Sequence, residues 1–476
     1  MALTKTSYFL LNGASVNVLD YGAYNDNTNA ATTTAAIQAA INTGKNVYFP
    51  QGQYAINAAL NVYSSGQRLY GDSRGNTQIL QNTVGANGIV VDNKQDVQIE
   101  NLYLVANGTN TQVGLLVKNG CINSVFKDLK VTNFNTGIVC DDTNQVYFQN
   151  IFSVDCLLSG FAIQSSGGTS VDTTIDNLYS AGHGTGGNGN CLTIVGNCSG
   201  VYVYKSQLQL SENTGLYIAS NGDGEPSACF FDQVIIDTNA VNGLNLTRGN
   251  NMRFVDCWFS NRTSAENCLL DTNSTDITFV GCKVYYTNGH GIKNKGNKNA
   301  FIGCSIEDVG IDLPNTYDGI RLENASATQI VGTRIWSTRN TTRYGISSTG
   351  STNSTYIVGC NLDGNVSGGY LDGGSVANNR YLNQYQGGSA SIANGATATL
   401  YTFPSEVQGT YLFFAGQASN TNGGIRAMAY VRVGSGSLAL TSLAAVQATL
   451  SASGLDVQVT NSAGGAVTFE YSWIKL

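Results

Sequence analysis

Apolar and polar residues alternate along much of the chain, and this alternation recurs in blocks of about 22 to 29 residues between Val97 and Asn365. Most blocks place an apolar residue three positions before a second and five before a third, as in Phe279, Cys282 and Val284. Apolar residues two apart lie on one face of a strand, and the three-residue step predicts a bulge or bend. Several blocks continue with a glycine and a branched apolar residue, which predicts a further strand: Gly243-Leu244, Gly291-Ile292, Gly319-Ile320 and Gly345-Ile346.

The repeat predicts how the strands assemble. No helical pattern of about 10 to 15 residues separates them, so alternating β-α-β winding is disfavoured. One block is too small to bury its own apolar face, but blocks stacked about 4.8 Å apart enclose a continuous core and pair every backbone group. The sequence therefore predicts an all-β fold, a right-handed parallel β-helix of roughly eleven turns.

The two ends of the chain have different patterns. Residues Ala30 to Ile41 have helical spacing and follow polar residues, with Thr32, Thr33 or Thr34 as candidate caps. This helix is expected to cover the open apolar end of the first coil. From about Gln386 onward charge nearly vanishes and short alternating runs lie between turns, which predicts an antiparallel β-sandwich.

We therefore predict three domains. Residues 1–60 form an N-terminal cap with the short helix, residues 61–375 form the parallel β-helix, and residues 386–476 form the C-terminal sandwich, used for trimerisation or glycan binding.

Composition narrows the possible partners. The net charge of −7 argues against nucleic acid, because phosphate binding needs a basic surface. The sequence contains no apolar run of about 18 residues, so no transmembrane helix is expected. The apolar patch within Met1–Gly13 is too short for a signal peptide, so export by a cleaved signal is not expected.

The 11 cysteines include no CxxC motif. Four of them occupy one inward position of the repeat and are expected to be buried thiols: Cys257, Cys282, Cys304 and Cys360. The two histidines, His183 and His290, lie far from any cysteine pair in sequence, so neither a metal nor another cofactor is expected.

The text VLDYGAYNDNTNAATTTAAIQAAI, followed by VYFPQGQY, resembles the entry motif of the pectate-lyase-like superfamily. Met1–Gly13 followed by this motif resembles bacteriophage tailspikes that carry no long N-terminal particle-binding domain. The resemblance implies a homotrimer attached to a phage tail or baseplate protein and located on the virion. Such a protein is made in the host cytoplasm and depolymerises a bacterial surface polysaccharide, O-antigen or capsule, at the exterior of the host.

The repeat also predicts which side chains form an outward ladder. The position after the shared strand recurs as Gln209, Asp237, Ser260, Tyr285, Glu307, Trp336 and Asp363. Aromatic faces bind the apolar faces of sugar rings, and carboxylates bind their hydroxyls. The candidate substrate-binding residues are Trp336, Tyr285, Tyr286, His290, Arg321, Arg339, Tyr344 and Lys293.

Glycoside hydrolysis needs a carboxylic acid and a carboxylate, and a β-helix can supply the required separation from neighbouring turns. The first candidate pair comes from Glu307, Asp308 and Asp318. The second is Glu212 with Asp237, with His183 one turn below.

Other interpretations stay open. A polysaccharide lyase needs a base beside a cation, for which His290, Tyr285, Lys293 and Arg321 are candidates. A non-catalytic glycan-binding protein would use the ladder only for adhesion. Any single acidic residue is more often a turn or surface residue, and we assign Asp96, Asp128 and Asp176 to turns. Trp258 is expected to point outward, to a subunit interface or a sugar.

Overall fold

A computed structural model describes residues 14–108, 111–184, 189–262, 265–374, 380–382, 387–403, 409–417, 425–434, 437–445, 448–462 and 466–475. The export prediction rests on Met1–Gly13, which lies outside the described residues. The chain divides into two compact units, Met1–Asn288 and Gly289–Leu476. No helix in the described ranges is both long and apolar enough to cross a membrane.

The N-terminal helix spans Ala30–Ile41, after a 3-10 turn at Val18–Tyr21. Its apolar face is fully buried against the strands Gly52–Ile56 and Leu60–Asn61, as expected of a helix that covers the first coils.

The predicted threonine caps of this helix were wrong. The cap residue is Asn29, in the left-handed conformation at φ 50°, without a side-chain hydrogen bond to the helix. Thr33 Oγ1 instead accepts a bond from the Tyr24 amide, and Thr34 Oγ1 donates to the Ala30 carbonyl. Both threonines therefore lie inside the helix, which begins earlier than their side chains suggested.

In the first unit, parallel strands form three series that we name sheets 1, 2 and 3. Sheet 1 contains Val16–Asn17, Val47–Phe49, Arg68–Gly71, Gln98–Glu100, Tyr202–Tyr204, Phe230–Asp232 and the ends of Asn242–Val255 and Cys268–Val280. Sheet 2 contains Gly52–Ile56, Thr77–Gln81, Tyr103–Ala106, Gln207–Gln209, Ile235–Asn239, Trp258–Asn261 and Lys283–Thr287. The strands Val125–Thr132, Tyr147–Val154 and Thr174–Ala181 run through both sheets.

Sheet 3 contains Leu60–Asn61, Ile89–Asp92, Val113–Lys118, Thr136–Asp141, Ser159–Gln164, Asn190–Val195, Thr214–Ala219 and the first parts of Asn242–Val255 and Cys268–Val280. The short strands Ser170–Val171 and Cys198–Ser199 form an additional pair.

A single left-handed residue separates sheet 1 from sheet 2 and explains the three-residue step of the repeat. Asp128, Asn150 and Asn177 occupy this position with φ of 52°, 55° and 61°. Asn150 Nδ2 donates to Asp128 Oδ1 at 3.1 Å, and Asn177 Nδ2 donates to Asn150 Oδ1 at 2.9 Å. Asn and Asp tolerate this conformation, so the corner is built without glycine in these turns.

The interior is a stack of the apolar anchors. Phe231, Phe254 and Phe279 lie one turn apart with ring centroids 4.6 and 4.7 Å from each other. All 11 cysteines are buried, and the inward position predicted for Cys257 and its counterparts is confirmed. Burying this continuous column supplies the main stabilising free energy of a solenoid.

The second unit contains further parallel strands and two antiparallel sheets. Its parallel strands are Ile292–Asn294, Ala300–Ile302, Ser305–Val309, Ile320–Glu323, Gln329–Val331, Arg334–Trp336, Tyr344–Gly350, Tyr356–Val358, Gly368–Gly374 and Arg380–Leu382. A five-stranded antiparallel sheet contains Gly387–Ile392, Gly409–Gln417, Ile425–Gly434, Ser437–Ala445 and Val467–Lys475. A three-stranded sheet contains Thr397–Thr402, Ala448–Ser453 and Asp456–Asn461.

The two antiparallel sheets pack through aromatic rings. Tyr401 of the smaller sheet lies 5.6 Å from Trp473 of the larger, and the adjoining Phe403 lies 4.8 Å from Tyr411. The predicted all-β fold, with its parallel β-helix, helical cap and C-terminal antiparallel sheets, is confirmed.

The β-helix has about 13 turns, more than the eleven predicted. Parallel pairing already includes Val47–Phe49 and Gly52–Ile56, so the ladder begins before residue 61. The early turns escaped notice because a loop, rather than one left-handed residue, separates Arg68–Gly71 from Thr77–Gln81. The three-residue step is therefore missing from their sequence.

Candidate functional site

Asp237 lies on the outer face of sheet 2 in the first unit. It is in register with Gln209, is half-buried, and accepts a hydrogen bond from Ser260 Oγ on the next strand. Two residues earlier, Ile235 is in register with Trp258, so Asp237 and Trp258 share the outer face of neighbouring strands. The predicted outward orientation of Asp237 therefore agrees with the structure.

An aromatic cluster lies beside this carboxylate, formed by Trp258, Lys283, Tyr285 and Tyr286. The Trp258 and Tyr285 rings meet edge to face at 5.5 Å, and Tyr286 lies 5.8 Å from Tyr285. Lys283 Nζ lies 4.9 Å from the Trp258 ring and 4.8 Å from the Tyr285 ring. Tyr286 is 42% exposed, so aromatic surface is open to solvent next to an acid.

Glu212 and His183 have different surroundings. Glu212 is exposed and lies 3.5 Å from Arg262 Nη2. His183 is buried; its Nδ1 accepts from the Cys156 amide, and its Nε2 lies 2.8 Å from Ser180 Oγ. Burial lowers the pKa of His183 to about 3, so the ring is neutral near pH 7. His183 is therefore a core residue, joined to Glu212 only through its carbonyl, which accepts from the Glu212 amide.

In the second unit, Glu307 and Trp336 are in register on neighbouring strands, and both are half-buried. The Arg334 guanidinium lies 3.8 Å above the centre of the Trp336 ring. A sugar that stacks on Trp336 must use the opposite face or displace Arg334. The predicted outward orientation of Glu307 and Trp336 agrees with the structure.

The predicted outward orientation of Asp308 was wrong. Its side chain is 1% exposed and accepts bonds from the amides of Thr338 and Arg339 and from the hydroxyls of Ser337 and Thr338. Arg339 Nε also lies 3.6 Å from it. Asp308 thus holds the turn at residues 337–339 in place. These bonds occupy both carboxylate oxygens, which a catalytic role would need.

The predicted outward orientation of Asp318 was also wrong. The carboxylate is fully buried and accepts bonds of 2.8 Å from Arg343 Nε and from Arg343 Nη2. Ser347 Oγ donates at 2.6 Å, and Arg321 Nη1 lies 3.4 Å away. Burial opposes ionisation, but the Arg343 bonds, the nearby His290 and Ser347 outweigh it and hold the pKa of Asp318 below its usual range. The structure therefore argues against Asp318 as a proton donor.

The other predicted binding residues of this unit surround Asp318 or lie beside it. His290 Nδ1 accepts from the Asp318 amide at 2.9 Å, so the neutral ring carries its proton on Nε2. Lys293 is in register with Arg321 and lies 3.4 Å from Glu323. Tyr344 lies beneath the Arg343 guanidinium at 5.4 Å. Arg343, which sequence reasoning missed, is the strongest partner of Asp318.

Asp176 was wrongly assigned to a turn. It lies within the strand Thr174–Ala181, in register with Gln149 and Tyr204, and accepts from Tyr147 Oη at 3.2 Å and Gln149 Nε2 at 3.1 Å. The missed signal was the position directly after each first anchor, which recurs as Glu100, Lys127, Gln149, Asp176, Tyr204 and Asp232. Asp96 and Asp128 do have the positive φ typical of turns.

Comparisons with known proteins support the fold. Residues 15–95 match the family model described as rhamnogalacturonase A/epimerase, pectate lyase-like. No curated protein is similar enough in sequence to be matched.

Solved structures are similar over most of the chain. The Dettilon tailspike protein is 12% identical with a TM-score of 0.59, covering 97% of this chain and 94% of its own. The A-module of the Azotobacter vinelandii mannuronan C-5 epimerase AlgE4 is 16% identical with a TM-score of 0.55, covering 74% and 96%. The pre-mature gene product 12 of bacteriophage phi29 is 16% identical with a TM-score of 0.54, covering 72% and 51%. Together with the three sheets described above, these similarities identify the chain as a protein with a parallel β-helix fold.

Proposed function

We propose that the protein is a phage tail protein that binds and depolymerises a bacterial surface polysaccharide, O-antigen or capsule. The observation that carries the proposal is the outer face of sheet 2, where Asp237 adjoins the aromatic cluster of Trp258, Lys283, Tyr285 and Tyr286. Aromatic surface beside a carboxylate suits sugar rings, whose faces are apolar and whose edges carry hydroxyls. Two solved structures of the same fold are a tailspike and a phage gene product, which supports the location.

The proposed reaction is endo-glycosidic hydrolysis by Asp237 and Glu212. One carboxylic acid protonates the glycosidic oxygen as its bond to the anomeric carbon breaks. The other carboxylate either removes a proton from the attacking water or attacks the anomeric carbon itself before water releases the sugar. Glu212 lies on the segment after the strand Gln207–Gln209, which is paired with the strand of Asp237.

A polysaccharide lyase is the second candidate, favoured by the group around Asp318. Arg321 and Arg343 supply positive charge there for a uronate carboxylate. Nδ1 of His290 is already bonded to the Asp318 amide, so Lys293 is the candidate base. A lyase would withdraw the proton from the carbon next to a uronate carboxylate and break the glycosidic carbon–oxygen bond on the following ring carbon. The departing sugar oxygen takes up a proton, and the uronate keeps a conjugated double bond. A third outcome, binding without cleavage, would make the protein an adhesin.

One experiment separates these functions. The full chain is incubated with bacterial lipopolysaccharides and capsular polysaccharides, and reducing ends and ultraviolet absorbance are followed together. We expect new reducing ends without new absorbance, and a loss of about 100-fold or more in the Asp237→Asn and Glu212→Gln variants. Asp363→Asn is the matched control, since Asp363 occupies the same repeat position in the second unit and is exposed. New ultraviolet absorbance would establish the lyase, and polymers that are bound but not shortened would leave an adhesin.

We also propose that the chain forms a homotrimer through its C-terminal sheets and attaches to the tail or baseplate. The resemblance to tailspikes supports this assembly. Light scattering of the purified full chain should give three times the chain mass, and a monomeric mass would contradict it.

A further inference from the structure

The outer face of sheet 1 in the first unit carries polar and aromatic side chains that the proposed function does not use. Two rows of outward-facing side chains run along it, and each turn of the β-helix contributes one residue to a row. The first row contains Tyr147, Thr174, Tyr202, Phe230 and Arg253, and the second contains Gln149, Asp176, Tyr204 and Asp232. Sheets 1 and 2 are separated by the left-handed corner, so this face and the one that carries Asp237 point in different directions.

Two side chains donate to Asp176. Tyr147 Oη donates to Asp176 Oδ2 at 3.2 Å, and Gln149 Nε2 donates to the same oxygen at 3.1 Å. Burial, Tyr204 and the Asp176 charge together raise the pKa of Tyr147, so its hydroxyl keeps its proton at physiological pH. The group therefore offers a carboxylate acceptor and fixed hydroxyls, the partners that sugar hydroxyls need.

An aromatic pair lies next to this polar group. Tyr202 and Phe230 stack with centroids 4.9 Å apart and planes 16° from parallel. Tyr202 is 46% exposed although it is large and is the first residue of a strand. Asp232, also exposed, is in register with Tyr204, two turns from Asp176. Two strand spacings correspond to about 9.6 Å, so carboxylates occur at intervals along the row.

We propose that this face is a second glycan-binding site, which holds uncharged hexopyranose units of the same polysaccharide. Tyr202 and Phe230 would bind the apolar side of the sugar, and Asp176 and Asp232 would accept hydrogen bonds from its hydroxyl groups. A uronate carboxylate would be repelled by Asp176 and Asp232, so we assign neutral sugars to the positions beside these two residues. A second protein copy is a poorer occupant, because it would strip water from two carboxylates.

The inference rests on the proposed function for the identity of the ligand class, but not for cleavage. A site far from the cut would keep the protein attached to the polymer between cleavage events. It would then raise the affinity for long chains without changing turnover of short ones, since only a long chain reaches both faces.

The test measures binding of the full chain to immobilised bacterial lipopolysaccharides and capsular polysaccharides of known composition. The Tyr202→Ala/Phe230→Ala double variant and Asp176→Asn are compared with wild type and with Tyr63→Ala, an exposed tyrosine (59%) away from this face. We expect the first two to lose at least tenfold in affinity for neutral polysaccharide, with unchanged thermal midpoints and unchanged cleavage of short oligosaccharides. Tyr63→Ala should match wild type.

The failures are distinguishable. If wild type binds a polysaccharide and the double variant binds it equally well, this site is overturned while the proposed function stands. If the double variant loses its assembly state in light scattering and keeps its affinity, the face is a subunit interface. If wild type binds no polysaccharide at all, both proposals are overturned.

Discussion

Arg343 donates two hydrogen bonds to the Asp318 carboxylate, with Nε 2.8 Å from Oδ1 and Nη2 2.8 Å from Oδ2. The carboxylate is fully buried, whereas the Arg343 side chain retains 29% of its exposure. Such a two-point pair fixes the strand Tyr344–Gly350 against the preceding turn. It also explains why acidic residues in this unit need not be catalytic: the densest group of charges is an ion-pair network.

The Arg343→Met substitution should destabilise the protein by about 3 kcal/mol or more, because it leaves a buried carboxylate without its main partner. Chemical denaturation of the purified chain measures the change. Glu323→Gln is the matched control: its pair with Lys293 retains contact with solvent on both side chains and should be worth about 1 kcal/mol or less. An Arg343→Met protein of wild-type stability that no longer cleaves polysaccharide would instead make the pair part of the active site.

His183 should make stability depend on pH. Its pKa is about 3 in the folded protein and near 6.5 when unfolded, so between these values the unfolded chain binds more protons. Stability is therefore complete above about pH 6.5 and falls as the pH drops, by up to about 2 kcal/mol between pH 7 and pH 5 from this residue.

The His183→Gln variant should lose that part of the pH dependence, although it is less stable than wild type at pH 7. Denaturation midpoints at pH 7 and pH 5 give the comparison. Equal pH slopes in the two proteins would contradict a buried neutral histidine. His290→Gln is the control. His290 retains some exposure and lies near Asp318, so this variant should keep the part of the pH dependence that comes from His183.

The sequence predicted the β-helix, its cap and its C-terminal sheets because repeat spacing directly encodes which side chains face the core. It predicted the outward side chains correctly where the residue lies in a strand with ordinary alternation, as for Asp237, Tyr285 and Trp336. Asp308 was misplaced because its left-handed backbone, at φ 50°, interrupts the alternation. Asp318 was misplaced because it lies two residues before the strand Ile320–Glu323, where alternation has not begun. Which polar groups meet there depends on the lengths of successive turns, and repeat position does not specify these lengths.

Asn150 tests the left-handed corner. The Asn150→Ala substitution should lower the free energy of unfolding by about 1 to 2 kcal/mol, since alanine tolerates φ 55° poorly. It also removes two side-chain bonds of the corner ladder. Asn150→Gly removes the same bonds but accepts the backbone conformation. If both variants lose equal stability in thermal or urea unfolding, the ladder bonds rather than the conformation hold the corner.

Trp258 and Trp336 should contribute unequally to glycan binding. Both carry a cation above the ring, but Trp258 also adjoins the exposed Tyr286 through Tyr285, whereas Arg334 lies only 3.8 Å above Trp336. Trp258→Ala should weaken polysaccharide binding by about 1 to 3 kcal/mol, and Trp336→Ala by less unless Arg334 is removed as well.

Calorimetric titration of the Arg334→Ala and Trp336→Ala variants, alone and combined, measures this coupling. If Arg334→Ala tightens binding and the gain disappears in the double variant, Arg334 competes with the sugar for the ring. If Trp336→Ala alone costs as much as Trp258→Ala, the uncovered face of Trp336 already binds sugar and Arg334 does not block it.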